Sequence, residues 1–319
     1  MRVGLLGLGR IGAFHAATLA RHPLVDELIV ADPVRSTPHG EPGDPFDVDA
    51  VVIATPTSTH ADLILRACAR GIPVFCEKPA AGTVAETLKV LEAAEGHRVQ
   101  IGFQRRFDTG YTAARAALHA GELGELHRVH LVTADPAPPP ASYLPLSGGI
   151  FRDCHVHDFD ALRWVTGREV VSVYASGANR GAAFFAEAGD VDTSTALLTL
   201  DDGTLATLQG SRYNGAGYDV RMELAGTRRT QAVGLGPRAP LRTVEGLPEP
   251  EEPWPDFVTR FEHAYRSEID AFLTGFLTGA ENPCTIMDAL SALYVAEAAD
   301  LSLRERRPVE LAEVTRSEL

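Results

Sequence analysis

Near the middle of the chain, Ser147-Gly148-Gly149-Ile150-Phe151-Arg152-Asp153-Cys154-His155-Val156-His157-Asp158-Phe159-Asp160 crowds acidic and imidazole side chains behind a glycine pair. What they can do depends on conformation, because helix and strand put different side chains on one face. On a helix, Asp153, His157, Asp160 and Trp164 share a stripe and His155 points nearly opposite, so Asp153 and His157 form an acid/base pair one turn apart. On a strand, Asp153, His155 and His157 align, as a metal-dependent hydrolase needs alongside a fourth ligand or open water position. The helical pattern of Ala161-Leu162-Arg163-Trp164-Val165, closed by Gly167, favours the helix. There His157, with an ordinary pKa of about 6.5, takes a proton near neutrality while Asp153 orients the ring and stabilises its charged form. A capping aspartate and a satisfied core histidine fit the same spacing, and spacing alone leaves both readings open. His155 reads more readily as structural than as a site residue. Asp158 and Asp160 read as helix-start charge and packing partners.

The elements that must position such a site begin at the N-terminus. Val3 to Leu6 reads as a short buried strand running into Gly7-Leu8-Gly9-Arg10-Ile11-Gly12 and then a helix over Ala13 to Arg21. In that context Gly7 permits the tight turn, Gly9 lets the backbone approach a pyrophosphate, and Gly12 allows close helix-to-strand packing. Arg10 and Ile11, in the same turn, are candidate cofactor contacts, and the helix N-terminus that follows favours negative charge. A second strand, Glu27 to Ala31, ends at Asp32, where a ribose-binding acid belongs. A carboxylate there bonds a free 2′-hydroxyl and repels a 2′-phosphate, which favours NAD over NADP, although the nearby Arg35 is a group that accepts the phosphate. A ligand-free turn and a strand-end aspartate before Pro33 are the plainer alternative.

Pro33, Pro38, Gly40, Pro42, Gly43 and Pro45 exclude a regular crossover helix after Asp32, so the usual third strand and its helices are expected to be absent or vestigial. Thr55, Pro56 and His60 follow the strand Ala50 to Ala54, at the strand end where cofactors lie. Thr59 is a candidate cap for a helix over Ala61 to Arg70. The strand Pro73 to Cys76 delivers Glu77-Lys78-Pro79 to the same edge, where Lys78 is either a surface charge or a donor to a substrate hydroxyl. Helix Thr83 to Glu95 and strand Val99 to Phe103 lead to Arg105 and Arg106, which either bind phosphate or substrate or solvate the rim.

The 319 residues, 45% hydrophobic and 23% charged, suffice for two domains with full cores. A net charge of −14 argues against nucleic acid as a partner and for a small molecule. The opening residues lack the pattern of a signal peptide, no apolar run is long enough to span a membrane, and Cys68, Cys76, Cys154 and Cys284 are scattered as reduced thiols would be. A cytoplasmic location is the expectation. From about Gly124 the pattern shifts to alternating strands, Leu126 to Thr133, Val170 to Ser176, Thr193 to Leu200, Thr204 to Ser211 and Tyr218 to Ala225, the mark of an antiparallel sheet with one covered and one free face. A free face needs a partner, so a homodimer or homotetramer through this sheet is expected. Pro237 to Pro255 reads as an exposed Pro-rich arm, with helices at Phe257 to Gly275 and Met287 to Arg304.

GLGRIG, ATPTSTHADL, FCEKPAA, GFQRRFD, DPAPPP, SGGIFRDCHVHDFDALRWVTG and SRYNGAGYDVRMELAG together resemble the Gfo/Idh/MocA oxidoreductases over nearly the whole chain, and among them the inositol 2-dehydrogenases. The resemblance implies an α/β protein with an N-terminal Rossmann domain, residues 1–120, and a C-terminal α+β domain on a large, mostly antiparallel open-faced sheet, residues 121–319. It implies NAD-dependent oxidation of a secondary hydroxyl of a cyclic polyol or sugar. Lys78, Asp153 and His157 match the catalytic lysine, aspartate and histidine, Asp135 a residue that helps hold the polyol, and Tyr218 a position near the substrate pocket. Two other readings remain: the metal-dependent hydrolase, and a non-catalytic NAD-binding sensor of the same fold.

Overall fold

The computed structural model describes residues 1–245 and 251–316. It divides into two compact units, Met1–Phe107 with His263–Ser291, and Asp108–Glu262 with Ala292–Leu319. This differs from a single cut at residue 120, and the reason is a helix that comes back late in the chain.

In the first unit β1 (Arg2–Leu6), β2 (Glu27–Ala31), β3 (Glu41–Pro42), β4 (Ala50–Ile53), β5 (Val74–Glu77) and β6 (Val99–Gly102) form one parallel sheet in the order β3-β2-β1-β4-β5-β6. Strands of a parallel sheet are buried on both faces, which is why β1, β2 and β4 are nearly continuous apolar runs. The crossovers are α1 (Arg10–Leu19), α2 (His60–Cys68) and α3 (Val84–Ala93). As expected, nothing helical lies between residues 34 and 46, and the third strand has shrunk to two residues paired with Ile29 and Val30. The core joins Val3, Leu5, Val52 and Phe75 to Ile269, Phe272 and Leu273 of a helix more than 160 residues downstream.

The second unit opens with α4 (Thr109–His119), β7 (Leu126–Ala134) and α5 (Leu144–Ser147). A wide π-type turn over Phe151–His155 leads into α6 (Val156–Thr166). Next come β8 (Val170–Ala178), α7 (Phe184–Glu187), β9 (Thr193–Leu200), β10 (Leu205–Ser211), β11 (Asp219–Gly226), β12 (Thr230–Val233) and α8 (Phe257–Arg260). After α9 (Glu262–Thr278), the helix that returns to the first unit, come α10 (Ile286–Glu305), β13 (Val309–Glu310) and α11 (Leu311–Arg316). The sheet runs β12-β11-β7-β10-β9-β8-β13, and only the β7–β10 pair is parallel. Burial alternates along β9 and β10 as a one-sided sheet requires. Ser194, Ala196 and Leu198 point inward, while Val171, Tyr174, Leu197 and Leu205 are exposed. In the Pro-rich arm Arg238 stacks 3.9 Å over the Trp254 ring, and residues 246–250 of that arm lie outside the described residues.

Candidate active site

The first unit carries a nucleotide cradle. Gly7 sits at φ +90°, and a Cβ there would press on the Ala54 carbonyl, while one at Gly12 would run into the Gly7 carbonyl. Both positions therefore require glycine, which lets α1 start against β1 with its first-turn N–H groups, at Arg10, Ile11 and Gly12, turned toward the end of the sheet. The strand order reverses between β1 and β4, the switch point at which α/β sheets bind ligands. Asp32 closes the cradle: its carboxylate accepts from the N–H groups of Leu8 at 2.7 Å, Val34 at 2.8 Å and Arg35 at 2.7 Å. Burial is the largest single influence and raises its pKa, but those three donors and the Arg35 charge together outweigh it and hold the carboxyl below its ordinary range. These residues fit a dinucleotide: there is open backbone at Gly9, a helix N-terminus for the pyrophosphate, and an ionised acid for the ribose.

At the neighbouring strand ends, Thr55 Oγ1 and Thr59 Oγ1 share a 2.7 Å hydrogen bond, and the Thr59 hydroxyl donates to the Pro56 carbonyl. Thr59 therefore does not cap α2 through its side chain as expected. His60 is buried, with Nδ1 2.7 Å from the Pro79 carbonyl and Nε2 2.8 Å from that of Thr55. With a backbone carbonyl at each nitrogen, the ring sits between the Thr55-Pro56 turn and the Glu77-Lys78-Pro79 turn, so His60 shapes the cradle rather than reaching into it. The Lys78–Pro79 peptide is cis, and Lys78 is half-buried. Arg106 is buried, its guanidinium donating to the Pro283 carbonyl at 2.9 Å and pairing with Asp288 at 3.1 Å. The expected substrate contact is instead a tie between the exit of β6 and the start of α10.

In the second unit the helical reading holds for the acid and imidazole stretch. The π-type turn and α6 put Asp153 and His157 at half-buried positions one turn apart, while His155, Asp158 and Asp160 point into the interior. Asp160 leaves the stripe it was expected to share with Asp153 and His157. The Asp153 carboxylate accepts from Tyr143 Oη at 2.9 Å and from Arg212 Nη2 at 2.8 Å. Arg212 Nη1 reaches Asp135 Oδ2 at 3.2 Å, and the Cys154 thiol points at the same oxygen from 3.8 Å. Asp135 and Asp153 thus meet through one guanidinium. Burial pulls the Arg212 pKa down, yet Cys154, Asp153 and Asp135 together hold it above its ordinary value. Burial raises the Asp135 carboxyl in spite of Arg212, and burial and then the Asp153 charge raise the Tyr143 phenol. Tyr143 is therefore a hydrogen-bond donor to Asp153 throughout the neutral range.

Of its two readings, His155 takes the structural one and not that of a substrate contact. It is fully buried, with Nδ1 2.8 Å from Asp158 Oδ2 and Nε2 2.7 Å from Ser194 Oγ, while the Thr133 hydroxyl donates to the other Asp158 oxygen at 2.8 Å. This network pins the π-type turn to β7 and β9. It also removes His155 from any common ligand set with Asp153 and His157, and the metal-hydrolase reading with it. Tyr218 is buried beside Phe257, its N–H donating to the Trp254 carbonyl at 2.8 Å.

Two residues that touch Asp153 were not singled out by spacing. Arg212 stood inside the SRYNGAGYD motif, but nothing local aims its guanidinium at a residue 59 positions earlier. Tyr143 follows a run of prolines and carries no periodic signal.

A family model for an oxidoreductase family with an NAD-binding Rossmann fold matches residues 40–104, and a GFO/IDH/MocA C-terminal domain model matches residues 111–231. An inositol 2-dehydrogenase of Rhizobium meliloti is 36% identical, with 98% of this chain and 99% of that protein covered. A scyllo-inositol 2-dehydrogenase (NAD(+)) of Bacillus subtilis is 34% identical over 98% of this chain and 96% of its own length. The crystal structure of scyllo-inositol dehydrogenase from Lactobacillus casei with bound NAD(H) and scyllo-inositol superposes with a TM-score of 0.88 at 29% identity, covering 98% of this chain and 99% of that one.

Proposed function

This chain belongs to the GFO/IDH/MocA oxidoreductase family and is an NAD-dependent dehydrogenase acting on CH–OH groups. On that premise we propose that it oxidises a secondary hydroxyl of an inositol-like cyclic polyol to a ketone. The observation that carries the reading is the Arg212 bridge between Asp135 and Asp153, on the turn that presents His157. The relatives named above support the substrate class.

The overall change is that of an alcohol to a ketone, with the hydride accepted by NAD⁺ and the hydroxyl proton released. NAD supplies the hydride acceptor, and Gly9, the N–H groups of Arg10, Ile11 and Gly12, and Asp32 are the residues that hold it. His157 Nδ1 or Nε2 takes the hydroxyl proton, with Asp153 supporting the charged ring. Lys78 donates to the substrate oxygen and stabilises the negative charge that grows on it. Asp135 and Asp153, acceptors with lone pairs beyond those that Arg212 uses, are suited to sugar hydroxyls. The fused charges of Asp135, Arg212 and Asp153 favour a neutral polyol over a sugar acid, whose carboxylate Asp135 and Asp153 would repel.

An absorbance screen for NADH formation with inositol stereoisomers, aldoses and sugar acids tests the reading. Turnover on an inositol is the expected result. Turnover restricted to sugar acids, or none across the panel, overturns it, and the second outcome favours the NAD-binding sensor. The exposed apolar face at Val171, Tyr174, Leu197 and Leu205 supports a homodimer or homotetramer through the second unit's sheet. Light scattering that returned a monomer at micromolar concentration would remove that part. Among the described residues no helix is long and apolar enough to cross a membrane, and a cytoplasmic location is part of the same proposal.

A further inference from the structure

Beneath the Glu77-Lys78-Pro79 turn lies a buried group that the proposed reaction does not use. His15 on α1, Glu77 at the end of β5 and Glu268 on α9 bring one ring nitrogen and two carboxylate oxygens within 4.8 Å of one another. His15 is wholly buried and its Nε2 lies 2.7 Å from Glu77 Oε1, with the ring wedged edge-on against Phe75 and Tyr265. Glu268 is also wholly buried, and among the described residues neither of its oxygens has a hydrogen-bond partner. Gln100 on β6 spends its amide on the backbone carbonyl of Glu268, not on the carboxyl. Around the cluster lie the His15 ring, the Glu77 carboxyl and the Tyr265 ring on α9, and the Cys76 thiol belongs to the residue before Glu77 on β5. Burial and then the Glu77 charge push that thiol's pKa up.

An ionised carboxylate in such a place needs donors or a counter-charge, and without them it takes up a proton instead. Glu77 has its counterpart in His15, and among the described residues Glu268 has none. Burial, and then the charge of Glu77, hold the Glu268 carboxyl well above the ordinary range. With Glu268 neutral, the Glu77 carboxyl faces the His15 ring without a second negative charge beside it.

We propose that Glu268 is a protonated positioning residue that, with His15, keeps the Glu77 carboxylate in one orientation and so fixes the turn presenting Lys78. The proposal rests on the reading of Lys78 as the donor to the substrate oxygen. The link is covalent and short: Glu77 is the last residue of β5 and Lys78 the next in the chain. An ionised Glu268 would compete with Glu77 for His15 and push the Glu77 carboxyl away, turning the strand end with it.

The test combines Glu268→Ala and Glu268→Gln with infrared spectroscopy of the full-length protein at neutral pH. A carboxylic-acid carbonyl band present in the wild type and missing from Glu268→Gln is the expected sign of the proton, and it is read without reference to turnover. Glu268→Ala should lower kcat at least about 10-fold with KM for NAD within about 2-fold, and Glu268→Gln, which mimics the neutral acid, should recover most of the loss. Absence of the band, equal loss in both variants, or a stoichiometric metal ion in the purified protein overturns the proposal, the last by giving the three residues a cation in place of a proton. If the band behaves as expected but Lys78→Met leaves turnover unchanged, it is the reading of Lys78 that falls.

Discussion

Asp153, proposed to support the base, shows how much of a site side chain's behaviour is set by neighbours distant in sequence. Tyr143 and Arg212 supply it with an O–H and a charged N–H donor, and a carboxylate with two such donors stays where it is put. Replacing Arg212 with Gln leaves Asp135 and Asp153 close together without their shared cation. The variant is expected to lose about 3 kcal/mol of stability, read by calorimetry, and most of its turnover. His157→Ala should cut kcat by about 10²–10⁴-fold while NAD binding, followed by fluorescence, persists, because the Gly-rich turn is untouched. Unchanged turnover would remove His157 from the role of base. In the first unit, Asp32→Ala should narrow the ratio of NADP to NAD dissociation constants, since the repelling carboxylate is lost while Arg35 remains beside Gly9.

At the scale of elements, the π-type turn is anchored at both ends. His155 ties it to β9, and at its start Arg152 pairs with Glu297 at 2.6 Å and Asp300 at 3.2 Å on α10. Burial, against the pull of Arg152, pushes the Asp300 carboxyl up to about 7. Between its ordinary value and that one, the folded chain holds a proton that the unfolded chain has released, so stability falls as pH rises through this window and levels off above it. Asp300→Asn removes the titration. Its melting temperature relative to the wild type should therefore climb between pH 5 and pH 8, by the equivalent of up to about 2 kcal/mol. A flat difference would show that the carboxyl is already ionised at the lower pH. The signal for α6 itself was plain in the sequence, since Ala161 to Val165 and Gly167 carry a helical period and a stop. The π-type widening carried no such signal, and the contacts around it come from β7 and β9, far off in the chain.

For the whole molecule, the late return of α9 is the main departure from a simple two-part chain. Ile269, Phe272 and Leu273 fill the core of the first unit beside Val3, Leu5 and Phe75. A cavity there weakens the cofactor-binding unit even though the mutation lies far from any nucleotide motif. Phe272→Ala is expected to cost about 3–5 kcal/mol, seen as a lower temperature at which NAD binding is lost. A fragment ending at residue 120 would lack this helix and expose that core, so an isolated piece of that length should aggregate or stay unfolded.

Short-range chemistry was legible in the sequence alone. The glycine spacing and Asp32 twenty residues past Gly12 marked the nucleotide cradle, the prolines after Asp32 foretold the shrunken third strand, and the helical period after Asp158 pointed to the turn that carries Asp153 and His157. Each of these is set by backbone freedom or side-chain period within one element. Only the tertiary structure decided that His60, His155 and Arg106 spend their polar atoms inside the protein, that Arg212 and Tyr143 hold Asp153, and that Glu268 lies against Glu77. Those facts depend on which side chains meet across many intervening residues, and hydrogen-bond partners chosen at that distance leave no periodic trace in the chain.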